Sequence, residues 1–241
     1  MISVKFMGRL GNCLIQYSAA RIFASKFGLA IDLETNKSIM RMAGPAVNLY
    51  MGSGERKVPK ETKIIRENEY LQLISSNSIE SLHYIIEDSF QDPNFIRLYI
   101  DEIKNTIRVP DQEKVPGSIL VHMRLGDCDN SDRRLPYGYY RDALQRTSFK
   151  TGVITSDSPD HPDVKSLARE FELKISDLPP MQTLLSSRSY DKVILSEGTF
   201  SWWIGVLSDA EEVTINRRKR NSMWHGDIFI FPEWKQTLFC S

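Results

Sequence analysis

Ile119-Leu-Val-His-Met-Arg-Leu-Gly-Asp127 is the stretch whose reading decides the fold. Residues 119–123 form a short apolar run that reads as a strand, and the chain then turns polar at Arg124, Gly126 and Asp127. Downstream the same pattern recurs. Strands are expected at 152–155, 173–175, 192–195 and 212–215, alternating with helices at 139–147, 163–171, 180–188 and 200–208. Alternation of this kind builds a parallel sheet covered by helices on both faces, with ligands bound at the carboxyl ends of the strands.

Upstream, 109–117 carries Pro110 and Pro116 among mixed charges and reads as a linker. Before it stands a β-α-β opening. It comprises a strand at 2–6, a turn at 8–11 with Asn12 placed to cap, a helix over 14–27 and a second strand at 29–33. Residues 36–60 read as irregular, 82–86 as a strand, and Ile96, Ile100, Ile103 and Ile107 as one face of a helix over 94–107. The expected fold is α/β, with two Rossmann-like halves at 1–112 and 113–241.

Bulk composition excludes several classes. The 241 residues are 41% hydrophobic and 26% charged with zero formal net charge, so nothing draws the chain to nucleic acid or an anionic surface. The basic run Arg217, Arg218, Lys219, Arg220 reads as a solvated turn. Cys13, Cys128 and Cys240 are odd in number and widely spaced, which fits reduced thiols and a cytoplasmic location. No apolar run reaches the ~18 residues of a membrane span, and Lys5, Arg9 and Asn12 interrupt any signal-peptide pattern.

Four polar stretches follow expected strands. Gly8-Arg-Leu-Gly-Asn12 offers close backbone approach and helix amides to an anion, or is simply a tight turn. His122 and Arg124 share one face by period-2 alternation. Arg124 suits a phosphate, and Asp127 either orients His122 or Arg124, touches a sugar, or simply pairs with Arg124 structurally. Asp157, after 152–155, either accepts hydrogen bonds from a nucleoside or caps the next helix. Ser196, Thr199 and Phe200 stand where a strand turns into a helix, again a phosphate-favouring place, while Trp202 and Trp203 read as core. Asp127-Cys-Asp129 has the DxD form of a metal site, but its overlap with the arginine motif weighs against that use.

In this order the stretches resemble the α-1,2-fucosyltransferase family (glycosyltransferase family 11). The family's GGLGNQ-type loop is matched by Gly8-Arg-Leu-Gly-Asn-Cys13, and its H-[VI]-R-R-G-D-Y by His122-Met-Arg-Leu-Gly-Asp-Cys128. A GYFQSEKYF-like segment is matched loosely at Ser89-Phe-Gln-Asp-Pro-Asn-Phe95, and an LPxxYY-like stretch at Leu135-Pro-Tyr-Gly-Tyr-Tyr140. FSDD-, NSSFSWW- and P-x-W-like elements follow at Thr155-Ser-Asp-Ser158, Glu197-Gly-Thr-Phe-Ser-Trp-Trp203 and Pro232-Glu-Trp234. Three positions depart: Leu125 stands for the second arginine, Cys13 for the glutamine and Glu197 for the asparagine.

The resemblance implies a GT-B fold with parallel sheets facing a central cleft, and an inverting transfer of fucose from GDP-fucose to a glycan hydroxyl without metal or other cofactor. It implies that Arg124 stabilises the leaving diphosphate and that His122 and Asp157 hold the nucleoside. Ser196, Thr199 and Phe200 would close on the phosphates, and Gly11 and Asn12 would reach the donor from the N-terminal half. Asp127 is the first candidate for the base. The rivals are a nucleotide-sugar or glycan-binding module, a transferase using another GDP-sugar, a metal-dependent transferase using Asp127 and Asp129, and a dinucleotide oxidoreductase, which the missing GxGxxG opposes.

Overall fold

A computed structural model describes residues 1–52, 59–126, 134–216 and 227–237. The chain divides into two compact units. Of the described residues, one unit takes Met1–Arg108 with 227–230, and the other takes 109–216 with 231–237.

The first unit opens with strand β1 (Ile2–Val4) and helix α1 (Leu10–Phe27), which ends at Gly28 in the left-handed conformation. Helix α2 (Leu33–Ala43) follows, then β2 (Thr62–Ile65), α3 (Glu67–Ile74), β3 (His83–Ile86), α4 (Pro93–Leu98) and α5 (Ile100–Lys104). The sheet runs β1-β3-β2 and both pairings are parallel. Phe23, Tyr70, Tyr84, Phe90 and Phe95 fill the space beside it with tilted and edge-on ring contacts, and the buried Tyr70 hydroxyl donates to Ala19 O at 2.7 Å.

Three expectations fail here. The second strand at 29–33 shrinks to one parallel bridge between Ile31 and Ile2, because Asp32 caps a helix instead. Its carboxylate accepts from the amides of Glu34 and Thr35 at 2.9 and 3.0 Å. Residues 36–43, expected to be irregular, therefore belong to α2, where Asn36, Ile39 and Ala43 form the buried stripe. The helix over 94–107 breaks at Tyr99 into α4 and α5. Nor do the patterns anticipate β2 and α3.

The second unit alternates as expected: β4 (Val115–Met123), α6 (Tyr137–Gln145), β5 (Thr151–Ser156), α7 (Pro162–Glu170), β6 (Lys174–Ile175), α8 (Pro180–Ser186), β7 (Tyr190–Ile194), α9 (Thr199–Leu207) and β8 (Glu212–Asn216). A final strand, β9 (Lys235–Thr237), goes beyond the expectation. The sheet order is β6-β5-β4-β7-β8-β9, parallel throughout. Counted from β4, that is third, second, first, fourth, fifth, sixth, the doubly wound Rossmann order. Both units are thus α/β with parallel sheets, as the fold class requires.

β4 is buried on both faces. Ile119, Val121, Met123 and Leu125 join the core formed with α6 and α7, while Leu120 and His122 face the opposite way. Trp202 and Trp203 are fully buried and meet edge-on at 5.1 Å, so they are core side chains. Trp234 fills the notch above Gly205, where an added Cβ would come within 2.6 Å of the indole. No helix among the described residues is long and apolar enough to cross a membrane.

Candidate functional site at the switch point of the second sheet

In a doubly wound sheet the connection leaves in opposite directions from the two central strands, and their carboxyl ends open a crevice. Here those strands are β4 and β7. Arg124, Leu125 and Gly126 leave β4; Leu195, Ser196, Glu197 and Gly198 leave β7 and lead into α9. β5 delivers Asp157 beside β4. Six of the expected donor-binding residues therefore come from three neighbouring strand ends.

The period-2 alternation of β4 extends past its last residue. His122 Nδ1 pairs with Ser201 Oγ at 2.6 Å, and the imidazole lies 5.2 Å from the Phe200 ring. Two residues on, Arg124 is on the same side and reaches the turn before α9. Gly198 has φ +100°, and a Cβ built there would collide with Arg124 Nη1. The guanidinium thus lies against the backbone that opens α9. Glycine is needed at position 198 for both its dihedral and its lack of a side chain. Gly198 forms the N-cap without a side-chain cap bond, so the positive end of the α9 dipole and a permanent cation converge on one place. Such a pairing favours a phosphate or diphosphate.

His122 is buried, and its pKa is lowered to about 4 by burial, against an opposing pull from Asp157 and with a further push from Arg124. The imidazole is neutral at physiological pH and sits as a fixed post beneath the first turn of α9. Asp157 is exposed, and its Oδ1 accepts from the amides of Leu125 and Gly126 at 2.8 and 3.0 Å. Its carboxylate therefore holds the turn after β4. The alternative placing Asp157 at the cap of the next helix gives way to His161, whose Nδ1 accepts from Asp163 N at 3.1 Å.

Ser196 and Thr199 are buried, at 3% and 8% exposure, beside the equally buried Glu197. Leu125 is 1% exposed in the core against α6 and α7, so the position where the family carries a second arginine points away from the crevice here. Gly198, which seats Arg124, is a position that the sequence reading does not single out; its signal is a glycine between a strand and a helix. Asp127 and Asp129 lie outside the described residues, as do Cys128, Cys240 and the run 217–220. No group of three or more potential metal ligands occurs among the described residues.

Gly11 and Asn12 belong to the first unit, at the carboxyl end of β1. The expected capping role of Asn12 does not hold: α1 starts at Leu10 with Arg9 as N-cap, which puts Asn12 inside the first turn. Its amide lies over Gly8, φ +81°, where a Cβ would collide with Nδ2. Gln16, also missed, pins the turn by accepting from Met7 N at 3.0 Å and donating to Met7 O at 3.2 Å. Cys13 is a free, buried thiol.

No family model and no curated protein sequence matches the chain. Among solved structures, the chain is similar to crystal structures of POFUT1 in complex with GDP, in complex with GDP-fucose and in the apo form. Their TM-scores are 0.44, 0.45 and 0.44, each at 11% identity over 87% of this chain and 94% of that chain.

Proposed function

We propose that the protein is an inverting fucosyltransferase that moves fucose from GDP-fucose to a glycan hydroxyl, α-1,2 to galactose or a similar sugar, without a metal ion. One observation carries the reading: Arg124 lies over Gly198 at the start of α9, at the switch point of a 3-2-1-4-5-6 sheet. The ordered motifs that resemble the α-1,2-fucosyltransferases supply the donor and the linkage.

In this reading the guanidinium and the α9 amides take up the charge that grows on GDP as the glycosidic bond breaks, which lowers the barrier without covalent catalysis. Neutral His122 keeps α9 in place through Ser201 and does not compete with Arg124 for the diphosphate. Asp157 holds the backbone that carries Arg124, and Ser196, Thr199 and Phe200 line the approach from β7. Asp127, one residue beyond Gly126, is the proposed base for the incoming hydroxyl.

The experiment is transfer from GDP-fucose to a panel of galactoside acceptors in EDTA, with product linkage read by NMR. An α-1,2-fucosylated product formed at full rate in EDTA is the expected result; dependence on added manganese sinks the metal-free mechanism. A second reading, a nucleotide-sugar-binding module without turnover, is favoured by two features: Leu125 is built into the core and Glu197 is buried beside the turn into α9. It predicts GDP binding with no product from any acceptor.

A further inference from the structure

Tyr140 on α6 is fully buried, and its hydroxyl has no hydrogen-bond partner. The Ser196 side chain and the Arg124 backbone are close enough to perturb it, yet neither meets it in bonding geometry. Burial and the nearby Glu197 charge push its ionisation far up, so the oxygen always carries its proton. The neighbouring Tyr139 is the opposite case. Its hydroxyl donates to Leu195 O at 2.9 Å and lies 3.3 Å from Thr214 O, which fastens α6 to the exits of β7 and β8.

An enclosed hydroxyl without a partner is destabilising, and a phenylalanine would fill the same space at no such cost. The oxygen also sits between the exits of β4 and β7, the two strands that supply Arg124 and the turn into α9. We propose that Tyr140 is a positioning residue of the diphosphate site. Its hydroxyl oxygen accepts from the Ser196 hydroxyl or the Arg124 amide once a nucleoside diphosphate is seated, fixing the two strand exits at the spacing the ligand needs. This rests on the nucleotide-binding reading above. The free protein holds the bond in reserve and the complex makes it, so ligand binding draws on the difference between the two states.

The test compares wild type, Tyr140→Phe and Tyr139→Phe by thermal unfolding without ligand and by calorimetric titration with GDP. Tyr140→Phe is expected to keep or raise the ligand-free Tm and to weaken GDP binding by about five- to ten-fold, the worth of one net hydrogen bond. Tyr139→Phe is expected to lower Tm. A merely structural hydroxyl gives the reverse pattern for Tyr140: a lower Tm with GDP affinity unchanged. Either half of that pattern overturns the proposal while leaving the nucleotide reading intact. Failure of wild type to bind GDP removes both together and is recognised by the absence of wild-type heat.

Discussion

Arg124 Nη1 occupies the space that a Cβ on residue 198 would need, so the arginine's resting place exists only because residue 198 is glycine. Gly198 also holds φ +100°, which side-chain-bearing residues rarely adopt. Gly198→Ala therefore strains the backbone and displaces the guanidinium. The expected loss is about 1–3 kcal/mol of stability in urea unfolding, with a weakening of GDP binding of roughly ten-fold or more. Normal binding by a destabilised variant would show that Arg124 does not need this seat.

His122 makes the protein sensitive to acid, with a defined sign. Its folded pKa, about 4, is below the ordinary 6.5, so the unfolded chain binds the proton first. This contribution to stability is intact above pH 6.5, falls as pH drops through the window from 6.5 to about 4, and is then fully lost. The loss amounts to about 3 kcal/mol. His122→Gln should flatten the pH dependence of unfolding in that window. An unchanged slope would mean that other groups set the acid sensitivity.

Asp157 organises the turn from which Arg124 projects, through two amide bonds to one oxygen. Because the side chain is exposed, Asp157→Ala should cost only about 1–2 kcal/mol of stability. It should weaken donor binding more than its own contact explains, because the arginine loses its footing. Asp157→Asn, which keeps an acceptor oxygen, should recover part of both. Asp157→Asn indistinguishable from wild type in melts and titrations would remove the charge from the account.

Trp234 closes the second unit over Gly205. Trp234→Ala opens a large void in a buried place and should cost about 3–5 kcal/mol in chemical denaturation. A loss under 1 kcal/mol would show that the C-terminal strand is not part of the folded core.

The second unit was legible in the sequence and the first only partly so, for a physical reason. In 115–216 strands buried on both faces leave continuous apolar runs, helices leave 3.6-residue stripes, and the two do not overlap. In the first unit, Asp32 looked like the tail of a strand because its capping role depends on Glu34 and Thr35 folding back onto it. α2 escaped notice because its buried stripe uses Asn36, a polar residue engaged by Tyr17 and the Tyr50 carbonyl. At the site, alternation along β4 put His122 and Arg124 on one side correctly. It could not reveal that Asp157 serves the backbone or that Gly198 seats the arginine, since both depend on residues about 30 to 75 positions apart meeting in space. Leu125 stands where the family has a second arginine, and the structure shows a core position.

The most direct measurement of the central claim is calorimetric titration of GDP into wild type and Arg124→Ala in EDTA, on proteins shown by thermal unfolding to be folded. The account predicts binding by wild type without metal, weakened by at least ten-fold in the variant. Equal affinity of a folded Arg124→Ala protein, or no binding by wild type, would contradict a diphosphate site at the β4–β7 switch point.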